Sequence, residues 1–463
     1  MAGARGQRDR SQDAPQAAAQ AAQAAPDERA AAQAAAQAAE QAAKAAADLY
    51  VDRVMERARA LRDSDAFAPP EPADRTRPDA RGALAAAKAS ARSSRTWIAV
   101  FSVLCLAIAA FSLLLPYHGI DSMGAGGEIY SPGDVLDCYV LWFQMNVWPL
   151  FDPTQRNLTG AMYTEFLQTH DATMYTLVMN RAVVTVITAG CGLLLALSGL
   201  LFQSAFRNPL ATPSMLGVSE GVTLGCVIYV MLGNSSIGEN PGLYLALVYG
   251  LGALAVVFVL FMSRFVMGSS HHNVLDMLLV GTVVCQLVGG VNSFVQTFVM
   301  DYMEWFNFYD IQQASDALQQ PLVAGVVVVV FAATFIPAFV LRFKLNLISF
   351  SDEEGTMMGV RAGLLRALAL VLGSAMQLAA LASIGQVAMI SLAVPFLVRY
   401  MMPADFRSQF LGNCLVGMAV LLACMALQHF ATVGIVTMPV GTIVSIFIVP
   451  LFVWMMALGQ GRW

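Results

Sequence analysis

The chain has 463 residues, of which 57% are hydrophobic and only 12% are charged, and its mean hydropathy is +0.62. Soluble domains carry about 25% charged residues, so this composition excludes an ordinary soluble domain and favours a polytopic membrane protein. The net charge of -5 gives no reason to expect a nucleic-acid partner. The seven cysteines show no paired C-x-x-C spacing, which predicts neither a metal site nor a disulfide framework.

The first part of the chain, residues 1–95, is low in sequence complexity. It contains Ala-Gln tracts, a charged stretch and a Pro-rich linker, with too little bulky apolar surface for a core of its own. No apolar segment follows the first basic residues, so the start lacks the pattern of a signal peptide. We predict that residues 1–95 form a cytoplasmic extension, either flexible or carrying a docking helix for a partner, and that residues 96–463 form the transmembrane domain.

Ten apolar stretches follow, and each is long enough, or nearly so, for the roughly 20 residues that a membrane-spanning helix needs. They are residues 96–116, 178–203, 214–232, 243–267, 274–300, 322–342, 364–383, 386–402, 409–430 and 437–458. Basic residues collect in alternate connections, whereas the other connections contain only Arg156, with Arg181 at the edge of the second stretch. Because positive charge accumulates on the cytoplasmic side, we predict an all-α fold of about ten spans with both termini in the cytoplasm.

A short polar break interrupts the apolar sequence between the second and third stretches, within Gly192–Gly225. The break consists of Arg207, Asn208, Pro209 and Leu210. Small residues on either side allow helix backbones to approach closely; they are Ser198, Gly199, Gly217 and Ser219. Since proline cannot continue a helix, the break predicts a tight turn, and the charge pattern places that turn on the cytoplasmic side.

A second cytoplasmic connection, residues 345–366, has the pattern of a short capped helix. It offers a capping hydroxyl, then carboxylates in the first helical turn, then glycines that can end the helix. These residues are Ser351, Asp352, Glu353, Glu354, Gly355 and Gly359. A charged helix between two spans suits a rigid contact with a soluble motor protein, and a solvated loop helix without a partner is the alternative.

The chain has no P-loop, the motif G-x-x-x-x-G-K-[ST] that cradles nucleotide phosphates. Its three lysines, Lys44, Lys88 and Lys344, all lie outside such a pattern. If the chain takes part in ATP-driven transport, a separate subunit therefore hydrolyses the ATP, and the chain itself is not an enzyme.

Several polar residues in or near the apolar stretches are weaker candidates for function. Glu220 and Asp276 lie inside predicted spans, where an ionisable side chain suggests proton or substrate handling; near the cytoplasmic interface, water or an arginine can serve them instead. Arg181 is predicted to anchor the outer interface or to form an interchain salt bridge. The adjacent pair His271-His272 is predicted to be solvated and not to bind a metal.

Five motifs resemble, in order, those of the iron–siderophore, heme and cobalamin (FecCD-type) permease family of ABC importers. They are Y-S-P-G-D-V-L at 130–136, the S-G to L-G-V-S run at 198–219, L-N-L-I-S with its acidic continuation at 345–360, S-I-G to P-F-L-V-R at 383–399 with D-F-R at 405–407, and M-P-V-G at 438–441. The chain departs from the family at Phe396 and Phe406, where histidine is usual, and over residues 300–320.

The resemblance implies the architecture of the cobalamin permease BtuC and a place in the cytoplasmic (inner) membrane. It implies a second permease subunit, identical or paralogous, two ATP-binding subunits and an extracytoplasmic substrate-binding protein. Residues 351–359 would then couple to the ATPases, and the turn at 207–210 would form the inner gate. The chain would bind no cofactor or metal of its own.

The cargo that the resemblance implies is an iron chelate such as a siderophore, with heme or a corrinoid as alternatives. A proton-coupled secondary transporter using Glu220 or Asp276 is the alternative from another class. Such transporters often contain inverted repeats, and the two halves of this chain show no convincing repeat.

Overall fold

The computed structural model describes residues 80–114, 131–147, 159–168, 172–267, 274–298, 300–313, 320–350, 361–387, 389–402, 406–430 and 439–458. The chain divides into two units, Met1–Ala85 and Ala86–Trp463, and the second contains the membrane helices. Throughout the described ranges the backbone is helical or in turns, with no strand. This confirms the predicted all-α class.

The described part of the chain contains thirteen α-helices and one 3-10 helix. They are α1 (Ala80–Leu114), α2 (Pro132–Asn146), α3 (Thr159–Phe166), α4 (Ala172–Phe206), the 3-10 helix Pro213–Leu216, α5 (Val218–Met231), α6 (Pro241–Met267), α7 (Val274–Phe298), α8 (Tyr302–Gln313), α9 (Pro321–Phe350), α10 (Ala362–Ile384), α11 (Ile390–Met401), α12 (Phe406–Phe430) and α13 (Val440–Leu458).

Eight of the described helices are long and apolar enough to cross a membrane, namely α1, α4, α6, α7, α9, α10, α12 and α13. The other two predicted spans form the shorter helices α5 and α11, of 14 and 12 residues. At about 1.5 Å per residue these helices measure roughly 21 and 18 Å, less than the ~30 Å hydrocarbon core. Ten apolar segments are therefore present, but full-length spans at 214–232 and 386–402 are not.

Backbone conformation explains why these two helices are short. α5 begins only after Gly217, whose φ of +79° ends the preceding 3-10 helix. α11 begins after a break in which Gly385 and Met389 both have a φ of +72°. Positive φ is incompatible with a continuing right-handed helix, so each apolar stretch is divided before it reaches spanning length.

Helix α4 lies at the centre of the fold. Its spanning segment is 78% buried, against 17% for α1 and α6, and it packs against α9, α10, α11 and α12. Gly192 and Gly417 allow α4 and α12 to touch backbone to backbone, because a Cβ at either position would overlap the other's carbonyl oxygen. Small residues of this kind let membrane helices associate through close packing.

A second apolar cluster joins α5, α6 and α8 to the end of α10. Tyr229 and Tyr244 meet edge to face with ring centroids 5.5 Å apart, and the Tyr244 hydroxyl donates to the carbonyl of Ala382 at 2.9 Å. The short helix α5 is thus held by the surrounding helices along most of its length.

Candidate functional site

The predicted turn follows α4 directly. Arg207 is exposed and has a φ of +50°. Asn208 holds the turn together: its backbone N–H donates to the carbonyl of Gln203 at 3.2 Å, and its Oδ1 accepts from the N–H of Leu210 at 2.9 Å. An asparagine side chain that bonds the backbone two residues on is typical of such turns. A turn is therefore present at 207–210, and its function as an inner gate stays a prediction.

Of the two predicted packing residues before the turn, Gly199 contacts α11. Gly199 lies against the backbone of Ser391, and a Cβ at Gly199 would overlap the carbonyl of that residue. Ser198 is fully buried, and its hydroxyl donates to the carbonyl of Leu195 at 2.7 Å. The glycine consequently permits α4 to cross the beginning of α11 at backbone contact.

The predicted packing residues after the turn have other neighbours. Gly217 faces α6 and α7, where a Cβ would be 3.5 Å from Ala255 and 3.7 Å from the Cys285 sulfur. The Ser219 hydroxyl donates to the Ser214 hydroxyl at 3.2 Å. Gly199 and Gly217 therefore serve two separate helix contacts.

A set of hydrogen bonds, here named the polar seam, joins the 3-10 helix and the start of α5 to α10 and the residues just after it. The seam comprises Ser214, Ser219, Thr223, Gln377 and Gln386. The Gln377 amide donates to the Ser214 hydroxyl at 2.6 Å, and the Gln386 amide donates to the Ser219 carbonyl at 3.0 Å and to the Thr223 hydroxyl at 2.8 Å. Four of these five residues were absent from the sequence prediction, although the two glutamines stand out as amides between apolar residues.

The polar seam predicts a measurable loss of stability when Gln386 is replaced by leucine. That change removes two hydrogen bonds, and interhelical bonds in membrane proteins average about 0.6 kcal/mol with a maximum of about 1.7. We expect Gln386→Leu to lower the free energy of unfolding by about 1–2 kcal/mol, measured by thermal unfolding in detergent. Gln286→Leu is the matched control, because Gln286 is exposed on α7; an equal decrease in both variants would contradict the role of the seam.

The break between α10 and α11 is enclosed by close backbone contacts. On one side Ser391 meets Gly199 of α4, and on the other the carbonyl of Gln386 meets Gly441 of α13. Both glycines lie in motifs that resemble the FecCD-type family. Two of the sequence motifs therefore include the glycines whose backbone contacts hold the end of α10 and the start of α11 in place.

Gln203 links the last turns of α4 to α11. Its side-chain oxygen accepts from Nη2 of Arg399 at 2.8 Å, and its amide donates to the carbonyl of Leu392 at 3.3 Å. Gln203 is 2% exposed, so both bonds lie inside the protein. The chain segment just before the turn is thereby tied to α11.

Glu220 lies in the first turn of α5, nearer the start of the helix than the sequence predicted. A carboxylate there is stabilised by the helix dipole. Its backbone carbonyl accepts from the Asn292 amide at 3.1 Å, and Gly289 leaves room for its side chain, since a Cβ would be 3.2 Å from Oε2. Asn292 was not predicted from the sequence. Glu220 therefore lies at the contact between α5 and α7.

Arg181 is buried within the chain, with 8% of its surface exposed. It interacts electrostatically with Tyr139 of α2. The predicted interchain salt bridge and outer-interface anchor stay predictions. The two positions where the family has histidine are also interior: Phe396 is 3% exposed and packs edge to face on Phe452, and Phe406 is 4% exposed.

The predicted coupling residues lie outside the described residues. They are Ser351, Asp352, Glu353, Glu354, Gly355 and Gly359. The segment connects the end of α9 at Phe350 with the start of α10 at Ala362. The pair His271-His272 and the side chain of Asp276 also lie outside the described part. Their functions stay predictions.

Comparison with known proteins agrees with the all-α membrane fold. The FecCD transport family matches residues 149–457. The hemin transport permease HmuU of Yersinia pestis is 30% identical over 59% of this chain and 80% of its own length. A probable iron chelatin transport permease of Helicobacter pylori is 29% identical over 57% of this chain and 77% of its own length. A solved metal-chelate type ABC transporter in an inward-facing conformation has the same fold, with a TM-score of 0.57 and 19% identity over 78% of this chain and 98% of its own.

Proposed function

We propose that this chain, which belongs to the FecCD transport family, carries an iron chelate such as a ferric siderophore through the inner membrane. At the level of the family, the chain is a membrane-spanning permease of an ABC importer. The observation that supports an iron-containing cargo is the similarity to permeases named for iron chelatin and hemin. Permeases named for molybdate and vitamin B12 are similar at 27% identity, so the uptake experiment compares cargoes of different classes.

The proposed importer contains two ATP-binding subunits, a second permease subunit and an extracytoplasmic binding protein. Separate ATPases are supported by the lack of a P-loop in the sequence. In this assembly the chain provides the pathway and transmits movement. The buried link from Gln203 to Arg399 joins α4, just before the turn at 207–210, to α11, and the polar seam joins the 3-10 helix after that turn to α10.

The proposal is tested by uptake into proteoliposomes that contain the purified permease and its ATPase, with the binding protein on the outside. We expect radiolabelled iron to accumulate as a ferric chelate only when ATP is present inside. Hemin and cyanocobalamin are the parallel cargoes. Uptake driven by a proton gradient without ATP would overturn the importer itself, whereas ATP-driven uptake of cyanocobalamin alone would overturn only the choice of cargo.

A further inference from the structure

Helix α2 presents apolar side chains on two opposite faces. One face is buried against α3 and the beginning of α4, through Val135 and Cys138 among others. The opposite face, here named the outer stripe, consists of Leu136, Val140 and Phe143, which are 48%, 51% and 45% exposed. Positions i, i+4 and i+7 lie along one side of a helix. A helix surrounded by water on that side would carry polar residues there.

The position of α2 indicates what covers the outer stripe. The Tyr139 hydroxyl of α2 donates to the carbonyl of Leu113 at 3.4 Å, and Leu113 is the second-last residue of the span α1. The buried face of α2 packs on Met174 and Val178, at the start of the span α4. α2 therefore lies at the level where two membrane-spanning helices end.

Exposed apolar surface is close to this level. Further along α4, Val183 and Val186 are 48% and 69% exposed, as expected of side chains that face acyl chains. Trp142 of α2, four residues after the buried Cys138, is 44% exposed on a different side of the helix from the outer stripe, and tryptophan is enriched at membrane interfaces. The exposed polar residues Asp137 and Gln144 form a narrow side of the helix next to Val140, at the edge of the outer stripe away from Phe143.

We propose that α2 is an interfacial helix whose outer stripe inserts into the phospholipids of the outer leaflet. Apolar side chains on one side and a narrow polar side are the features that hold a helix in the plane of the interface. The helix fixes the depth of the long connection between α1 and α4, and with it the position at which α4 enters the bilayer. The inference does not depend on which cargo the permease carries.

Spin labels on single introduced cysteines test this placement in the complete permease complex, reconstituted in phosphatidylethanolamine–phosphatidylglycerol vesicles. Labels at Val140→Cys and Phe143→Cys report the outer stripe, and labels at Asp137→Cys and Gln144→Cys report the polar side. We expect dissolved oxygen to reach the stripe labels several-fold better than a water-soluble nickel chelate, as at Val257→Cys in the span α6, where the residue is 60% exposed. The polar-side labels should show the reverse preference.

The native thiols of this chain should contribute little to the signal. Six of the seven cysteines are buried, and burial, together with Asp137 and Asp134, raises the pKa of the Cys138 thiol in α2 to about 11, so that it stays protonated and unreactive near neutral pH. The unmodified permease, labelled in parallel, gives the background. Access of the nickel chelate to both stripe labels would overturn the proposal. So would exclusion of both reagents, which would show that a second permease or a binding protein covers the stripe.

Discussion

Replacing Gly199 with alanine is expected to destabilise the permease by about 1–3 kcal/mol, the usual cost of forcing an extra carbon into a packed interior. The new Cβ would overlap the carbonyl of Ser391. A backbone atom cannot move aside by changing rotamer, and α11 is held in place by the bond from Gln203 to Leu392. Either α4 or α11 must therefore shift as a whole. The hydrogen bonds from Gln203 of α4 to α11, which lie next to the turn, shift with it.

Gly250→Ala is the matched control for this prediction. Gly250 lies within the span α6 and is exposed, and a Cβ added there would meet no neighbouring atom within 4 Å. Alanine at a helical site without steric conflict stabilises a helix by up to about 1 kcal/mol relative to glycine, so the two variants should move the unfolding temperature in opposite directions. A thiol-reactive fluorophore that reports exposure of the buried cysteines measures both shifts in detergent. Equal shifts would contradict the close contact at Gly199.

The membrane helices were predictable because their signal is local. Eight long apolar segments are recognised by hydropathy alone, and the same eight form helices of spanning length. The shortness of α11 was not predictable in this way, because it depends on a positive φ at Met389, a residue type that gives no sequence signal for that conformation. For α5, the glycine at 217 permits the turn but does not by itself require it.

The hydrogen bonds of the site were less predictable because they join distant parts of the chain. Gln377 and Ser214 are separated by 163 positions, as are Gln386 and Thr223. The sequence identifies each glutamine as a polar residue among apolar ones, but only the packing of α10 and the residues after it against the 3-10 helix and α5 brings each glutamine to its partner. Gly199 is intermediate: the sequence indicates a close helix contact there, and the fold shows that the contact is made with α11.

Replacing Asp352, Glu353 and Glu354 together with lysine is expected to reduce ATP-driven uptake at least tenfold, while leaving membrane insertion and expression unchanged. The sequence places these carboxylates in the first turn of the predicted coupling helix, where the helix dipole favours negative charge by about 0.3–1 kcal/mol each. Three lysines reverse that interaction and also reverse the charge presented to an ATPase surface. Uptake and ATP hydrolysis, measured in the same proteoliposomes, report the coupling.

Two further variants separate the coupling role from simpler causes. Lysine at Glu56, Asp63 and Asp65, in the predicted cytoplasmic extension, makes the same change of net charge outside the transmembrane domain and should leave uptake near the unmodified rate. Asp352→Asn with Glu353→Gln and Glu354→Gln removes the charge without reversing it and should give an intermediate rate. If the lysine variant at 352–354 retains full uptake, the segment does not couple to the ATPase. If uptake is lost while stimulated ATP hydrolysis persists, the ATPase still docks and the segment transmits its movement to α9 and α10, the helices that it joins.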